Sequence, residues 1–398
     1  MPTPCFRWHP RARAFAGASQ IAPGGERRGA ILPATPAASA LGALGATLGK
    51  SGFALGPLLP QNADRLSSAH FATFTGGSSG APKAILRTQA SWVHSFEANA
   101  VQFAYAPHDS IAVLGALSHS LSLYGALEGL HLGLAVHVLA DLTVQEQAAQ
   151  LRVQRCSVLY ATPTQLRLLP RRARLPDVRL ILCGGGPLTA QTRVHLHAIC
   201  PQAAVRVFYG AAETSFITLA DTLTPEGSVG RAYPGVDIEV RDKDRDGTGT
   251  IWVRSRYLFD SYLQGDSRHT RRADGWLTVG ELGYLDNDGH LFLRGRGGRV
   301  ATIADQTVYP EEIEARLATI DEITHCAVLT RSDPLRGRHL VVVIEGRKDQ
   351  TLRGRIMDAC ITSGLHRPRE VVFLDPFPLL TSGKPDLVEI AERTGACL

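Results

Sequence analysis

Hydrophobic positions in this chain recur as short apolar runs separated by longer amphipathic stretches, most clearly between residues 67 and 209. Short apolar runs are typical of buried strands, and apolar positions spaced three or four residues apart are typical of helices. Their alternation predicts βαβ units, with a sheet covered by helices on both faces. The predicted strands are 71–74, 111–114, 135–139, 157–160, 178–182 and 205–208, and the predicted helices lie near 88–104, 120–133, 143–154 and 189–199.

The pattern changes on both sides of this region. From 217 to 294, short strand-like runs alternate with turn signals such as Asp246-Gly247 and Asp288-Gly289, which predicts a β-rich subdomain. A second αβ unit should follow, with a helix from Pro310, strands at 324–330 and 339–345, a helix near 351–363 and a strand at 370–374. Before all of this, residues 1–66 show little periodicity beyond a weak helix near 41–49.

These patterns predict an α/β protein of βαβ layers plus a β-rich subdomain, followed by a small α+β domain. We place the boundaries at 1–66 for a variable N-terminal segment, 67–296 for a large domain and 297–398 for a small C-terminal domain. The length of 398 residues allows two domains, and a hydrophobic content of 44% allows each to bury a core.

Charge and cysteine content exclude several classes of protein. The net charge of +5 comes from dispersed, mostly arginine side chains, which indicates a solvated surface rather than a nucleic-acid-binding one. The 7 cysteines are odd in number and form no Cys-x-x-Cys pair, which argues against a disulfide framework or a structural zinc site. No apolar run is long enough to span a membrane, and none follows the N-terminal arginines as a secretory signal would. We therefore expect a cytoplasmic, reduced protein.

The segment after the strand at 71–74 combines glycine, hydroxyl and lysine side chains. It reads Thr75, Gly76, Gly77, Ser78, Ser79, Gly80, Ala81, Pro82, Lys83. Glycines allow a tight turn whose N–H groups approach a ligand, so the segment suits a polyphosphate. The alternative is a flexible surface loop. It is not the common nucleotide-binding loop, because that motif needs Gly-Lys-Ser/Thr in direct succession.

This segment closely resembles the Thr/Ser-Ser-Gly-Thr-Thr-Gly-x-Pro-Lys signature of the adenylate-forming superfamily, which includes acyl- and aryl-CoA ligases. Further segments resemble motifs of that superfamily in the same order along the chain. They are Gly184-Gly185-Gly186-Pro187-Leu188, Tyr209-Gly210-Ala211-Ala212-Glu213-Thr214, the stretch 278–286, Tyr309-Pro310-Glu311-Glu312-Ile313-Glu314, and Leu379-Leu380-Thr381-Ser382-Gly383-Lys384. The resemblance covers roughly 67–390 and identifies an acyl-CoA-ligase-like AMP-binding enzyme with a shortened N-terminal region.

The resemblance implies a set of nucleotide-binding residues. The phosphates of ATP would contact Thr75, Gly76, Gly77, Ser78, Ser79, Gly80 and Lys83. The adenine and ribose would contact Gly184, Gly185, Gly186, Tyr209, Gly210, Glu281 and Arg296. Glu213 would hold Mg²⁺, a role that suits a hard oxygen ligand. The chain departs from the superfamily pattern at Ala212, which replaces a threonine, and at Glu281, which replaces an aspartate.

The resemblance also implies where the chemistry and the acid substrate lie. Lys384 would bridge the substrate carboxylate and the α-phosphate, so Lys384 and Glu213 are the expected catalytic residues. The acid would contact His119, Ser120 and Tyr209. The segment 118–123 contains no acidic residue to pair with a substrate ammonium, which disfavours a simple α-amino acid.

The implied activity is that of an AMP-forming acid-thiol ligase using ATP, Mg²⁺ and CoA. A carboxylic acid would be activated to an acyl-adenylate with release of pyrophosphate, and its acyl group would then pass to CoA as the small lid domain rotates. Two alternatives stay open. Gly298, Thr302 and Asp305 depart from the superfamily's usual residues, which is compatible with transfer to an acyl carrier protein or an amine. Ala212 and Glu281 are compatible with a non-catalytic nucleotide-binding relative.

Overall fold

The computed structural model of this chain is an α/β fold, as the sequence predicts, and it describes most of the residues. The described ranges are 4–24, 29–75, 83–303, 306–320, 322–333, 337–362, 365–380 and 383–398.

The N-terminal residues contribute strands to two sheets, and the boundary at 66/67 stays a prediction. The elements are β1 (Arg13–Ala16), β2 (Ser19–Ile21), β3 (Ile31–Leu32), α1 (Ala37–Thr47), β4 (Phe53–Leu55), β5 (His70–Thr75), β6 (Lys83–Thr88) and α2 (Gln89–Gln102). Strands β3 and β4 run parallel to β5, which pairs antiparallel with β6. The periodicity of 1–66 is weak because these strands are too short to show it, and pairing with later strands stabilises them.

The next region contains the βαβ units that the hydrophobic pattern predicts. It comprises β7 (Ser110–Val113), α3 (Ser120–Leu132), β8 (Ala135–Val138), α4 (Val144–Val153), β9 (Val158–Ala161), α5 (Pro163–Leu168), β10 (Leu180–Cys183), α6 (Ala190–Ile199) and β11 (Ala204–Ala211). Parallel pairing gives the order β1-β8-β7-β9-β10-β11. The predicted strands and helices of this region are confirmed, and α5 is an additional helix.

The β-rich region is present and continues the same sheet. Its strands are β12 (Ser215–Ala220), β13 (Ser228–Ala232), β14 (Val236–Arg241), β15 (Gly249–Ser255), β16 (Ser261–Gln264), β17 (Arg271–Ala273), β18 (Trp276–Thr278), β19 (Glu281–Leu285) and β20 (His290–Arg296). Because β12 pairs antiparallel with β11, the sheet extends through β13, β20, β19, β15 and β18 to β17. Strand β16 instead pairs with β6 in the smaller N-terminal sheet.

The C-terminal residues form an αβ unit with its own sheet. The elements are β21 (Ala301–Ile303), β22 (Gln306–Val308), α7 (Pro310–Leu317), β23 (Cys326–Asp333), β24 (Gly337–Glu345), α8 (Gln350–Thr362), β25 (Glu370–Leu374) and α9 (Leu387–Thr394). The sheet order is β23-β24-β25, and α7 and α8 pack against it around Val342, Ile344 and Ile356. Helix α9 is not predicted by the sequence pattern. No helix in the described ranges is long and apolar enough to cross a membrane.

The C-terminal unit contacts the preceding sheet through α7 and β20. Arg294 on β20 forms an ion pair with Glu312 on α7. Gly295 lies directly under the same helix, and a Cβ at this position would come within 2.6 Å of a Glu311 carboxylate oxygen. Gly295 therefore permits the close approach of α7 to β20. The domain boundary at 296/297 stays a prediction.

A buried polar network joins α2 and α3 behind the parallel strands. Glu128 on α3 accepts hydrogen bonds from Asn99 (2.7 Å), Tyr160 (2.7 Å) and Tyr105 (3.1 Å). Tyr233 donates to the Asn99 side-chain oxygen at 2.6 Å. Burial raises the pKa of Glu128 to about 7, and the hydrogen bonds oppose that shift.

Candidate active site

Glu213 lies on the tight turn that connects β11 to β12, and not at the start of a helix. Gly210 makes this turn possible, because a Cβ there would lie 1.9 Å from the carbonyl oxygen of Ser215. Within the turn, Thr214 Oγ1 accepts a hydrogen bond from the Ala211 N–H at 2.9 Å. Ser215 has a φ of 59°, an uncommon conformation for a residue other than glycine. The carboxylate of Glu213 is thus presented by a tightly constrained segment.

Tyr262 connects Glu213 to the lysine of the phosphate segment. Its hydroxyl donates to Glu213 Oε1 at 2.8 Å, and Thr270 Oγ1 lies 2.8 Å from the same hydroxyl. The ammonium of Lys83 lies 5.7 Å from the centre of the Tyr262 ring. Burial, and then the charge of Glu213, raise the pKa of Tyr262, so the phenol stays protonated as a hydrogen-bond donor. The sequence pattern does not single out this tyrosine.

Arg87 on β6 lies beneath the Glu213 turn, with a fully buried side chain. Its guanidinium donates to the carbonyls of Ala212 and Tyr257, and to Ser215 Oγ at 2.7 Å. Burial lowers the pKa of Arg87 to about 9, whereas the nearby carboxylates of Asp260 and, less strongly, Glu213 oppose that shift. Sequence analysis missed this residue, although an arginine directly after the apolar run 84–86 is a visible signal.

The glycines and serines of the phosphate segment, Gly76, Gly77, Ser78, Ser79 and Gly80, lie outside the described residues. Its two ends, Thr75 and Lys83, are paired opposite each other on β5 and β6. His119 forms a parallel bridge with Phe74, and Ser120 Oγ donates to the Phe74 carbonyl at 3.4 Å. The expected acid-binding residues therefore lie beside the start of the phosphate segment. Burial lowers the pKa of His119, which favours a neutral imidazole at pH 7.

The turn of Gly184, Gly185 and Gly186 follows β10 and packs closely on β11. A Cβ on Gly184 would lie 2.2 Å from the ring of Phe208, so this position requires glycine. Gly185 has a φ of 95°, in the region that favours glycine. The backbone of this turn therefore lies close to β11, the strand that carries Tyr209.

Tyr209 and Glu281 line one narrow crevice together with Thr214 and Leu277. The hydroxyl of Tyr209 and Oε2 of Glu281 are buried and have no hydrogen-bond partner among the described residues. An unpaired buried polar atom costs about 1–3 kcal/mol, and such atoms in a crevice are typical of sites that receive polar ligand groups. These two residues fit the adenosine-binding role that the resemblance implies.

Lys384 from the C-terminal unit lies close to Glu281 and Arg296. Arg296 Nε is 3.6 Å from Glu281 Oε1 across the β19–β20 pair. A tight turn presents the lysine, because Leu380 N–H donates to the Lys384 carbonyl at 2.8 Å and Gly383 N–H donates to the Leu380 carbonyl at 2.8 Å. Charges from the large sheet and from the C-terminal unit thus meet at one place.

The electrostatics of this group are coupled. Burial raises the pKa of Glu281, while the charges of Arg296 and Lys384 act to lower it. The side chain of Lys384 is partly accessible to solvent. Burial of its ammonium by the surrounding protein lowers the pKa of Lys384, and the charge of Arg296 lowers it further. The charge of Glu281 opposes both effects. An anionic ligand beside this ammonium would therefore stabilise its charged form more than it would stabilise that of a fully solvated lysine.

His269, which the sequence analysis did not identify, lies between the phosphate segment and the ribose-binding candidates. Burial lowers its pKa most, followed by the positive charges of Arg268, Lys83 and Arg296. A Cβ on Gly298 would lie 2.9 Å from its Cε1 atom. Gly298 is therefore in contact with the site. Taken together, lysine and arginine cations and two separated carboxylates suit a polyphosphate ester with a sugar and a divalent cation.

Two family models match this chain. Residues 31–263 match the model of the AMP-binding enzyme family, and residues 312–384 match the model of the AMP-binding enzyme C-terminal domain. The first match begins at residue 31, so the expectation that the resemblance starts near 67 was wrong. The reason is visible in the fold, where β3 and β4 belong to the same sheet as β5.

Among curated proteins, the chain is 32% identical over 321 residues to the uncharacterized acyl-CoA ligase YhfT of Bacillus subtilis. The aligned region covers 78% of this chain and 66% of that relative, so the chain spans slightly less than two thirds of the relative's length.

Solved structures share the fold. The o-succinylbenzoate CoA synthetase of Bacillus subtilis, in complex with its acyl-adenylate intermediate, superposes with a TM-score of 0.71 at 24% identity, covering 80% of this chain and 68% of that one. The amide bond synthetase McbA of Marinactinospora thermotolerans gives a TM-score of 0.69 at 22% identity, covering 91% of this chain and 79% of that one. The fold, the family matches and the relative lead to one conclusion: this chain belongs to the family of AMP-binding enzymes.

Proposed function

We propose that this chain activates a carboxylic acid with ATP, forming an acyl-adenylate and pyrophosphate. The observation that carries the proposal is the convergence of Lys384 from the C-terminal unit on Glu281 and Arg296 of the large sheet. Adenylation needs a cation beside a carboxylate that can bind ribose, because charge develops at the α-phosphorus in the transition state. YhfT, the relative reported above, is named as an acyl-CoA ligase.

The residues of this chain would act mainly by positioning and by neutralising charge. A carboxylate oxygen of the acid attacks the α-phosphorus, and the bond from that phosphorus to the oxygen bridging it to the β-phosphate breaks. Lys384 would lie against the reacting phosphoryl group and offset the repulsion between the two anions. Glu281 would accept hydrogen bonds from the ribose hydroxyls, and Lys83 would hold the leaving pyrophosphate.

Glu213 would hold the divalent cation. The donor set fits, because Glu213 supplies a hard carboxylate oxygen and Tyr262 orients it by donating to Oε1 at 2.8 Å. Mg²⁺ bound there would neutralise the charge of the departing pyrophosphate. The catalytic and binding roles of all these residues are part of the proposal.

The acid itself would enter beside His119, Ser120 and Tyr209. A neutral imidazole at His119 offers no charge to the substrate carboxylate, and segment 118–123 carries no acidic residue for an ammonium. These features favour an acid without an α-amino group. The cytoplasmic location stays a prediction of the sequence.

A panel of aliphatic, aromatic and amino acids, assayed for ATP-dependent pyrophosphate release, tests the adenylation step. We expect release with acids that lack an α-amino group. The non-catalytic alternative makes the opposite prediction: calorimetry would detect AMP binding, but no acid in a broad panel would release pyrophosphate.

For the second step we propose transfer of the acyl group to CoA. The structure places Thr302 on β21, and Asp305 lies outside the described residues. A carboxylate at the mouth of a CoA site would repel its phosphates, so a carrier protein or an amine remains the alternative acceptor. McbA, a structural neighbour, is itself an amide bond synthetase.

The acceptor test forms the acyl-adenylate first and then offers CoA, pantetheine, a phosphopantetheinylated carrier protein or an amine in separate reactions. We expect a CoA thioester. Product with the carrier protein or the amine, and none with CoA, would replace the proposed acceptor.

A further inference from the structure

Arg87 is a buried cation that contacts the Glu213 turn on both sides of Glu213. On the N-terminal side of Glu213, the guanidinium donates to the Ala212 carbonyl. On the C-terminal side, it donates to Ser215 Oγ at 2.7 Å. The same group donates to the Tyr257 carbonyl and so ties the turn to the segment leading to β16. Phe259 N–H donates to the Glu213 carbonyl at 2.8 Å, which adds a second tie to this segment.

The turn that Arg87 holds is conformationally strained. Ser215 has a φ of 59°, and a residue with a Cβ is held in this region only when its surroundings enforce it. The Ser215 hydroxyl also accepts from Trp92 Nε1 at 3.1 Å, and the Trp92 ring lies 5.8 Å from the Arg87 guanidinium. Arg87 and Trp92 together therefore keep Ser215, and with it the preceding Glu213, in one conformation.

Burying this charge is costly, and stability alone does not account for it. Within the described part of the chain, its hydrogen-bond acceptors are two carbonyls and a hydroxyl, and its Nε has none. Apolar residues of similar volume often stabilise a core as well as, or better than, a buried charged group does. The groups that the arginine contacts therefore explain its presence better than stability alone does.

We infer that Arg87 is a positioning residue that fixes the metal-binding carboxylate of Glu213. Its planar fork of donors spans both sides of the turn, which the single ammonium of a lysine cannot do. The inference rests on the proposed function, since it assigns a role toward the metal that Glu213 would hold.

A matched control is available in Arg272. This partly buried arginine donates to the carbonyls of Phe259 and Asp260, the segment that Arg87 also supports. Among the described residues, the hydrogen bonds of Arg272 go to this segment and not to the 211–215 turn. Loss of Arg272 therefore removes a cation from the same neighbourhood while leaving the turn's own hydrogen bonds intact.

The test compares the full-length wild type with Arg87→Met, Arg87→Lys, Arg272→Met and Glu213→Gln. Calorimetry measures the affinity for Mn²⁺·ATP and for AMP, which needs no metal, and hydrogen exchange follows the amides of 211–215. We expect Arg87→Met to weaken Mn²⁺·ATP binding at least tenfold, as Glu213→Gln does, with AMP affinity within about threefold of wild type. Hydrogen exchange at the Thr214 amide should accelerate in Arg87→Met. Arg272→Met should change neither the affinity for Mn²⁺·ATP nor this exchange rate.

The outcomes separate this inference from the proposed function. Folded Arg87→Met with wild-type affinity for Mn²⁺·ATP and wild-type exchange at Thr214 would overturn the inference. If Arg87→Met does not fold, Arg87→Lys is compared with the wild type by its ratio of Mn²⁺·ATP affinity to AMP affinity. An intermediate loss in this ratio supports positioning, and an unchanged ratio overturns the inference. Failure of the wild type to bind either nucleotide would instead refute the proposed function, and hydrogen exchange would still show whether Arg87 holds the turn.

Discussion

At the residue scale, the proposed chemistry depends most directly on Lys384. Its charge should be needed mainly in the transition state, so we expect Lys384→Ala to lower kcat for pyrophosphate release by about 100-fold or more. ATP affinity should change little, because most of the proposed contacts to the nucleotide come from other residues. Lys348→Ala removes an exposed lysine of the same C-terminal unit and serves as the control. Unchanged adenylation in Lys384→Ala would remove this lysine from the mechanism.

Glu213 offers a second test at this scale. Glu213→Gln replaces a carboxylate by a neutral amide, a poor ligand for a hard cation. We expect the Mg²⁺ concentration for half-maximal activity to rise roughly tenfold or more. Glu226→Gln is the control, since Glu226 is an exposed carboxylate on the turn before β13. Full activity of Glu213→Gln at limiting Mg²⁺ would contradict the proposed metal role.

Sequence alone identifies some of these residues and not others, for a physical reason. Glu213, Glu281 and Lys384 lie in short motifs whose residue types and spacing are visible locally. Arg87 and Tyr262 act through partners 125 and 49 residues away. Such contacts depend on strand pairing, which local patterns do not specify, so neither residue can be assigned before the fold is known.

At the scale of elements, the buried network between α2 and α3 predicts a pH effect on stability. The pKa of Glu128 is raised to about 7 in the folded protein, so folding retains a proton that the unfolded chain loses near its ordinary value of 4.5. The free energy of unfolding should therefore fall as pH rises from about 4.5 to 7, and this contribution should level off above. The loss is on the order of 1–3 kcal/mol.

Glu128→Gln tests this contribution, because its side chain keeps an acceptor but cannot titrate. Urea unfolding at pH 5.0 and 7.5 should show a smaller pH difference for Glu128→Gln than for the wild type. Glu392→Gln, which alters an exposed carboxylate on α9, should retain the wild-type difference. An identical pH difference in Glu128→Gln would show that another group is responsible.

An element is predictable from sequence when its hydrophobic pattern is continuous or repeats, whereas an element without such a pattern is easily missed. The strands of the parallel sheet were predicted because each is a continuous apolar run, as at β7 and β10. Helix α9 was missed although it has local signals: Asp386 caps its start by accepting from Val388 N–H at 3.2 Å, and Gly395 ends it with a φ of 65°. Reading caps as well as periodicity would have found it.

At the scale of the whole molecule, the pairing of β11 with β12 joins the parallel and antiparallel halves into one sheet. Sequence periodicity indicates a β-rich region after 217 but does not tell which strand it pairs with. The Glu213 turn lies at the junction of the two halves. Any large rearrangement during catalysis should therefore occur after β20, where Gly297–Arg299 forms a short helical turn, and not within this sheet.

The contact between α7 and β20 has a kinetic consequence. Rotation of the C-terminal unit about Gly298 would separate these elements, so each turnover would break the ion pair between Arg294 and Glu312. The pair is partly exposed, with 32% and 28% of the two side chains accessible, and dissolved salt weakens such pairs. We therefore expect higher ionic strength to speed acyl transfer from preformed adenylate at saturating acceptor, measured in single turnovers.

Arg294→Gln removes the pair, so the same salt titration should leave its transfer rate nearly unchanged and close to the high-salt rate of the wild type. Equal salt responses in the two proteins would mean that the pair does not restrain the rotation. Under the proposed mechanism, one surface ion pair makes the rate of acyl transfer, relative to that of adenylation, depend on the ionic composition of the solution around the enzyme.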